Sequence, residues 1–269
     1  MLRSLMLSTA LLLITLLATS ETVAEDYSAY SFETYDAPSG QLLYRKLLPT
    51  DFDPNKKYPL VVFLHGAGER GASNQKQLTH GGELFLDKRE SFPAIVVFPQ
   101  IPEQEYWASI DADRSKKPYT FEFPYRGKDA VEPTAAMTRL LSFLDHLQDE
   151  AYVDNSRIYI GGLSMGGMGT LEILARRPNM FAAAFAICGG ADPALANVYR
   201  EELPLWFFHG AKDDIVEYKY SRQLADAMSK RGQQVKYTLY PEANHNSWDP
   251  ALAEPDLLSW LFAQQLGTD

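Results

Sequence analysis

The sequence is poor in cysteine and histidine and short of basic charge. Cys188 is the only cysteine in 269 residues, so no intrachain disulfide is available and the core must hold without one. The five histidines are scattered, and no His-x-x-x-His or Cys-x-x-Cys spacing occurs, which argues against a metal site. No cofactor is expected. With 25 basic and 35 acidic residues the net charge is −10, and no basic stripe, repeat or low-complexity tract interrupts the chain. Nucleic acid is therefore an improbable partner. The longest apolar run, Leu5 to Ala18, falls short of the ~20 residues that span a bilayer as a helix.

That run has the pattern of a signal peptide. Arg3 is the only charge before Glu21, and Thr22-Val23-Ala24 suits a signal peptidase, so cleavage is expected after Ala24. An uncleaved N-terminal anchor is the competing reading. No cysteine lies near the cleavage point, which argues against a lipid anchor. Residues 1–24 would then be the signal peptide and 25–269 one domain, secreted or periplasmic and not inserted in a membrane after cleavage. Removing one Arg and one Glu leaves the net charge at −10.

Beyond residue 25, short apolar runs alternate with amphipathic stretches, the pattern of an α/β fold with a mostly parallel sheet covered by helices on both faces. Strands are expected at 30–35, 41–48, 60–64, 94–98, 157–161, 182–187, 204–208 and 235–240. Most are continuously apolar, as buried parallel strands are. Helices are expected from Pro133 to about Glu150, where Met137, Leu140, Leu141, Leu144 and Leu147 keep a three-to-four spacing, and at about 166–176, 218–231 and 255–265. Between Gln100 and Glu132 no period is sustained, and Pro102, Pro118, Pro124 and Gly127 punctuate the stretch, so it reads as a long loop. A loop of that length leaving a sheet's carboxyl edge tends to serve function.

Gly162-Leu163-Ser164-Met165-Gly166 follows the 157–161 strand and opens a helix. Strand, tight turn and helix around such a string describe a nucleophile elbow, although a glycine-rich phosphate cradle uses similar letters. A serine hydroxyl needs a histidine base, and the base an orienting acid. On this scaffold both follow the serine in the chain. Of the two later histidines, His209 ends an apolar strand and reads as satisfied by local hydrogen bonds. His245 lies in a polar loop after 235–240. For the acid, Asp213 and Asp214 compete in the loop after 204–208, and composition does not choose between them. Met165, the residue after the serine, should offer a backbone N–H to an oxyanion.

Four segments together resemble a family: His65-Gly66-Ala67-Gly68-Glu69-Arg70-Gly71 after a strand, the Gly-Leu-Ser-Met-Gly-Gly elbow, His209-Gly210-x-x-Asp213-x-x-Val216, and His245-x-Ser247-Trp248. The chain from about 40 to 265 is similar to the secreted esterase and "predicted peptidase" branch of the α/β-hydrolases, related to the phospholipase/carboxylesterase and polyhydroxybutyrate-depolymerase-like groups. The resemblance implies an α/β-hydrolase fold and a Ser164–Asp213–His245 triad, with Asp214 as the fallback acid. It also implies the Ala67 N–H as second oxyanion donor and a bracing rather than basic role for His65. The proline usual after the valine is replaced by Glu217.

Glu69 and Arg70 read as a local ion pair more than as substrate contacts. Trp107, in the long loop, and Trp248 are the candidate substrate-binding aromatics; Tyr119, Phe121, Phe123 and Tyr125 follow in the same loop. The leading expectation is a serine esterase acting through an acyl-enzyme on a small-molecule or polysaccharide-linked ester. A serine peptidase or amidase and a catalytically silent binding module are the alternatives. Oligomeric state and the natural ester are not legible.

Overall fold

The computed structural model describes residues 26–127 and 131–267. The expected signal peptide and its cleavage point lie outside the described residues. Among those residues, no helix is long and apolar enough to cross a membrane.

An eight-stranded sheet organises the chain. Its strands are β1 (Ser31–Ala37), β2 (Gly40–Leu47), β3 (Tyr58–Leu64), β4 (Ile95–Gln100), β7 (Val153–Leu163), β8 (Ala183–Ile187), β9 (Leu205–Gly210) and β10 (Val235–Tyr240), in the order β1-β2-β4-β3-β7-β8-β9-β10. The β1–β2 and β2–β4 pairs are antiparallel, and every pairing from β4 to β10 is parallel. The strands expected from apolar runs all occur. The largest change is at β7, which begins at Val153 rather than Arg157, because polar residues 154–157 continue the strand at the sheet's lower edge.

β3 shows why such runs are needed. All seven of its residues are buried, with Leu60, Val62 and Leu64 in one cluster and Val61 and Phe63 in the other. A strand covered on both faces has no polar side to alternate. The first face is covered by α2 (Ala135–Gln148) and α3 (Met165–Arg176), and α4 (Lys219–Lys230) adds Leu224, Ala225 and Met228 to it. Thr134 caps α2, its hydroxyl accepting the Met137 N–H at 3.0 Å. The other face is covered by α1 (Gly82–Asp87) and by the C-terminal segment. That segment forms two short helices, α5 (Trp248–Leu252) and α6 (Leu257–Phe262), rather than one over 255–265. Pro255 disfavours helical backbone at Glu254 and separates them.

The 101–134 excursion is not wholly irregular. It carries an antiparallel hairpin, β5 (Asp111–Asp113) with β6 (Thr120–Glu122), and its Tyr119 N–H donates to the Ile215 carbonyl at 3.0 Å. These bonds hang it over the carboxyl ends of the parallel strands.

Candidate active site

Ser164 sits between β7 and α3 with φ 52° and ψ −116°, a strained conformation that points its side chain out of the turn. The turn closes only because its flanks lack side chains. A Cβ on Gly166 would lie 2.0 Å from the Leu64 carbonyl oxygen, and one on Gly162 would lie 2.6 Å from Gly166 backbone. The elbow is thus pressed against β3, and no residue other than glycine fits either flank.

Two more strand ends complete the constellation. Asp213 follows β9, and His245 follows β10. Ser164 Oγ lies 2.9 Å from His245 Nε2, and His245 Nδ1 lies 2.8 Å from Asp213 Oδ2. A carboxylate only accepts, so Nδ1 carries the proton and Nε2 is left to accept from the serine hydroxyl. The structure therefore brings Ser164, Asp213 and His245 together in one line. Asp214 stands outside it: its backbone N–H donates to Asn244 Oδ1 and its carboxylate pairs with Lys117 at 3.5 Å.

Asp213 is held from four directions. Its Oδ1 accepts the Ile215 and Val216 N–H groups at 2.9 Å each, and its Oδ2 faces both His245 Nδ1 and His209 Nε2, the latter at 3.3 Å. Burial pushes the carboxyl pKa up, but the His209 and His245 hydrogen bonds and the His245 charge outweigh it and hold the group well below the usual range. His209 is fully buried. Its Nε2 donates to the Val216 carbonyl at 2.9 Å and its Nδ1 meets Ser221 Oγ at 2.8 Å. Sequence reasoning gave His209 local partners but missed that Asp213 is one of them. The four-residue spacing from His209 to Asp213 across the strand end was the available signal.

The N–H groups of Met165 and Ala67 start helical turns, α3 and the short 3-10 turn Ala67–Glu69, so neither has an acceptor within its own helix. Both residues line the same cleft as Ser164. His65 braces the loop that carries Ala67. Its Nδ1–H donates to the Gly66 carbonyl at 2.6 Å and its Nε2 accepts the Ile101 N–H at 3.2 Å. Burial, the dominant cause, lowers its pKa to about 4, so the ring stays neutral as that pairing demands.

Two expectations are corrected. Trp107 is completely buried and lines no part of the cleft that holds Ser164. Its indole N–H donates to the His65 carbonyl at 3.1 Å, and its Cβ occupies the space that a side chain at Gly169 would need, so it pins the excursion to α3. Glu69 and Arg70 do not pair. Arg70 Nε donates to the Ala67 carbonyl at 2.9 Å and its guanidinium lies over Tyr106, while the Glu69 carboxylate faces His80 at 3.8 Å. Trp248 does line the cleft, edge-on to His245 with ring centres 5.5 Å apart.

The cleft has a volume of about 330 Å³. Met168, Phe121, Val216, Ile110, Tyr119 and Ile215 form an apolar cluster along it, and Glu69, His80 and Trp248 also line it. Met168 was legible in principle, since it stands one helical turn beyond Ser164. Among the described residues, one atom cluster resembles a metal site: donor atoms of Cys188, Asp213 and His245 lie within 4.8 Å of one another. The histidine and aspartate atoms are already bonded to each other. Burial, reinforced by the Asp213 charge, pushes the Cys188 pKa well up and keeps the thiol protonated, which makes it a poor ligand.

Parallel sheet, elbow and the chain order serine, aspartate, histidine define an α/β-hydrolase. The chain belongs to the phospholipase/carboxylesterase family of that superfamily, whose model matches residues 53–254, and it is a hydrolase of the esterase type. It is similar to a thermostable esterase of known crystal structure, at 33% identity and a TM-score of 0.76 over 88% of this chain and 63% of that one. Lysophospholipase-like protein 1 of Mus musculus is 25% identical over 77% of this chain and 87% of its own. The bifunctional acetylxylan esterase/xylanase XynS20E of Neocallimastix patriciarum is 34% identical over 64% of this chain, which spans 21% of that larger protein.

Proposed function

We propose that the protein is an exported serine esterase that cleaves carboxylic esters through an acyl-enzyme. The carrying observation is the line from Ser164 Oγ through His245 to Asp213, opening into an apolar cleft. His245 Nε2 takes the proton as Ser164 Oγ bonds to the ester carbonyl carbon, and Asp213 stabilises the imidazolium that results. The carbonyl oxygen becomes an oxyanion facing the N–H groups of Ala67 and Met165. Donors of this kind already point at the developing charge, and one is typically worth about 2.7–4 kcal/mol in the barrier. The C–O bond then breaks, and the alcohol leaves with the proton from His245. Water repeats the sequence on the acyl-serine, releasing the acid and restoring Ser164.

Export is supported by Arg3, the apolar run from Leu5 to Ala18 and the Thr22-Val23-Ala24 sequence. The proposed substrate is a small-molecule or polysaccharide-linked ester, with residues 25–269 forming the catalytic domain. A fluorophosphonate probe should label Ser164, and p-nitrophenyl esters should turn over well ahead of aminoacyl p-nitroanilides. The reverse preference would make the protein a peptidase, and an unlabelled, inert protein would make it a binding module. Mature protein in the periplasm or medium should begin near Glu25; Met1 retained in a membrane fraction would overturn export.

A further inference from the structure

The two sides of the cleft differ in chemistry, and the difference bears on the alcohol half of the substrate. One side is the apolar cluster around Met168, Phe121 and Val216. On the other, contacts run from His245 to Trp248, from Trp248 to His80 with ring centres 4.9 Å apart, and from His80 to the Glu69 carboxylate at 3.8 Å. Glu69 stands two residues beyond Ala67, so this arc joins the general acid to the oxyanion loop. His245 protonates the departing oxygen, and the side that flanks His245 therefore receives the leaving group.

Glu69 is the unexplained member of that arc. Among the described residues its carboxylate accepts no hydrogen bond, and within 4 Å its ionisable neighbour is His80. Its side chain is 14% exposed, so the carboxylate is confined to the cleft rather than immersed in bulk water. A carboxylate so placed offers several acceptor sites, and the ligand must bring the donors. The His80 imidazole beside it can donate or accept. The Trp248 ring supplies a flat apolar face.

We infer that Glu69, His80 and Trp248 form a leaving-group subsite for a sugar ring, so that the ester cleaved joins an acyl group to a saccharide hydroxyl. This rests on the esterase reading above. Vicinal hydroxyls match the carboxylate and imidazole, and the C–H face of a pyranose matches the indole. A cationic alcohol fits less well, because Arg114, which lies over Tyr106 at 5.1 Å, lines the same cleft and adds a positive charge to it. A polyol satisfies the acceptors without carrying a charge that must be desolvated. Beyond the His80–Trp248 ridge lies a second hollow of about 440 Å³ that shares both residues, which leaves room for a further sugar unit.

The test compares kcat/KM for the monoacetates of methyl β-glucopyranoside, each position in turn, with kcat/KM for ethyl acetate and acetylcholine. The full-length protein should prefer at least one sugar acetate to ethyl acetate by about 100-fold, since a site built around hydroxyl contacts rejects analogues that lack them. Glu69→Gln should lower that ratio by about 10-fold or more, the loss expected of a hydrogen bond to a charged acceptor, and His80→Ala should lower it by less. An unchanged ratio in both variants, or no sugar preference at the outset, overturns the subsite while ethyl acetate turnover keeps the esterase reading standing. A Glu69→Gln effect confined to acetylcholine makes the site a cation site and also overturns it. No turnover of any acetate overturns the esterase reading along with it.

Discussion

The floor of the cleft is made where β7, β9 and β10 end, within a few residues of hydrogen-bonded sheet. Its walls come mainly from the 65–80 loop and the 101–134 excursion, with Met168 of α3 and Trp248 of α5 between them, and the two segments are tied down by separate contacts such as Trp107 to the His65 carbonyl and Tyr119 to the Ile215 carbonyl. The floor is fixed by backbone: the Gly166 approach to Leu64 leaves no room for another residue, and Asp213 is held by two main-chain N–H groups. The walls are held by fewer, separate contacts between distant segments, some from side chains such as Trp107 and one from the Tyr119 main chain. Reaction type therefore resides in a part of the molecule that tolerates little change, and substrate choice in a part that can change without disturbing the sheet.

Breaking the floor should have the largest effect. Ser164→Ala and His245→Ala should each remove nearly all turnover, and Asp213→Asn should lower kcat by up to about 10⁴ by leaving the imidazole in the wrong tautomer. Adding Asp213→Asn to either of the first two should cost almost nothing more, because members of such a line act as a unit. Asp214→Asn, outside the line, should stay within about twofold of the parent, since surface changes of this kind are nearly neutral. Steady-state kinetics on one p-nitrophenyl ester decides all of these; a crippled Asp214→Asn beside an active Asp213→Asn would mean the acid is misassigned by one residue.

His65 joins floor to wall, and pH should expose the joint. Its folded pKa, about 4, lies below the ordinary value of about 6.5, so the unfolded chain binds the proton first. Its contribution is full above about pH 6.5 and is lost as pH falls towards 4, amounting at most to about 3 kcal/mol. Urea unfolding across that window should show a slope shallower by as much as one proton in His65→Gln. Equal slopes would remove His65 from the acid response.

His209 should matter less than Asp213 and more than Asp214. His209→Leu removes the imidazole N–H that the Asp213 carboxylate shares with the Val216 carbonyl, and kcat should fall about 10-fold with KM nearly unchanged. A change in KM alone would mean that His209 shapes the cleft rather than steadying the acid.

Legibility in the sequence followed the same division. Continuous apolar runs announced the strands, and the glycines around Ser164 announced the elbow, because local backbone geometry dictates both. In the sequence, only the family pattern distinguishes Asp213 from Asp214. Two Ile215–Val216 N–H bonds separate it from its neighbour in space, and no composition shows them. Trp107 lies away from the cleft because a loop aromatic packs wherever a partner permits, here against Gly169, 62 positions away in the chain. Adjacency in the sequence suggests a Glu69–Arg70 ion pair, yet Arg70 finds the Ala67 carbonyl instead. Side-chain walls depend on contacts between distant segments, and a single sequence carries little trace of those.

The mildest change belongs to the apolar wall. Met168 lies one helical turn beyond Ser164 and packs with Phe121 and Val216, so its side chain limits the depth open to the acyl group. Met168→Ala removes buried volume beside Ser164 without touching the elbow. Stability should fall by about 2–5 kcal/mol if the space stays empty, and by less if a longer acyl chain or a neighbouring side chain fills it. The informative readout is the ratio of kcat/KM for p-nitrophenyl octanoate to that for the acetate, which should rise about 10-fold or more, since each methylene gained in an apolar pocket is worth about 1–3 kcal/mol. A ratio that stays flat while both rates fall would show that the acyl chain lies elsewhere. The apolar side would then serve only to hold the excursion in place, as Trp107 does, and the division between floor and wall would no longer separate chemistry from substrate choice.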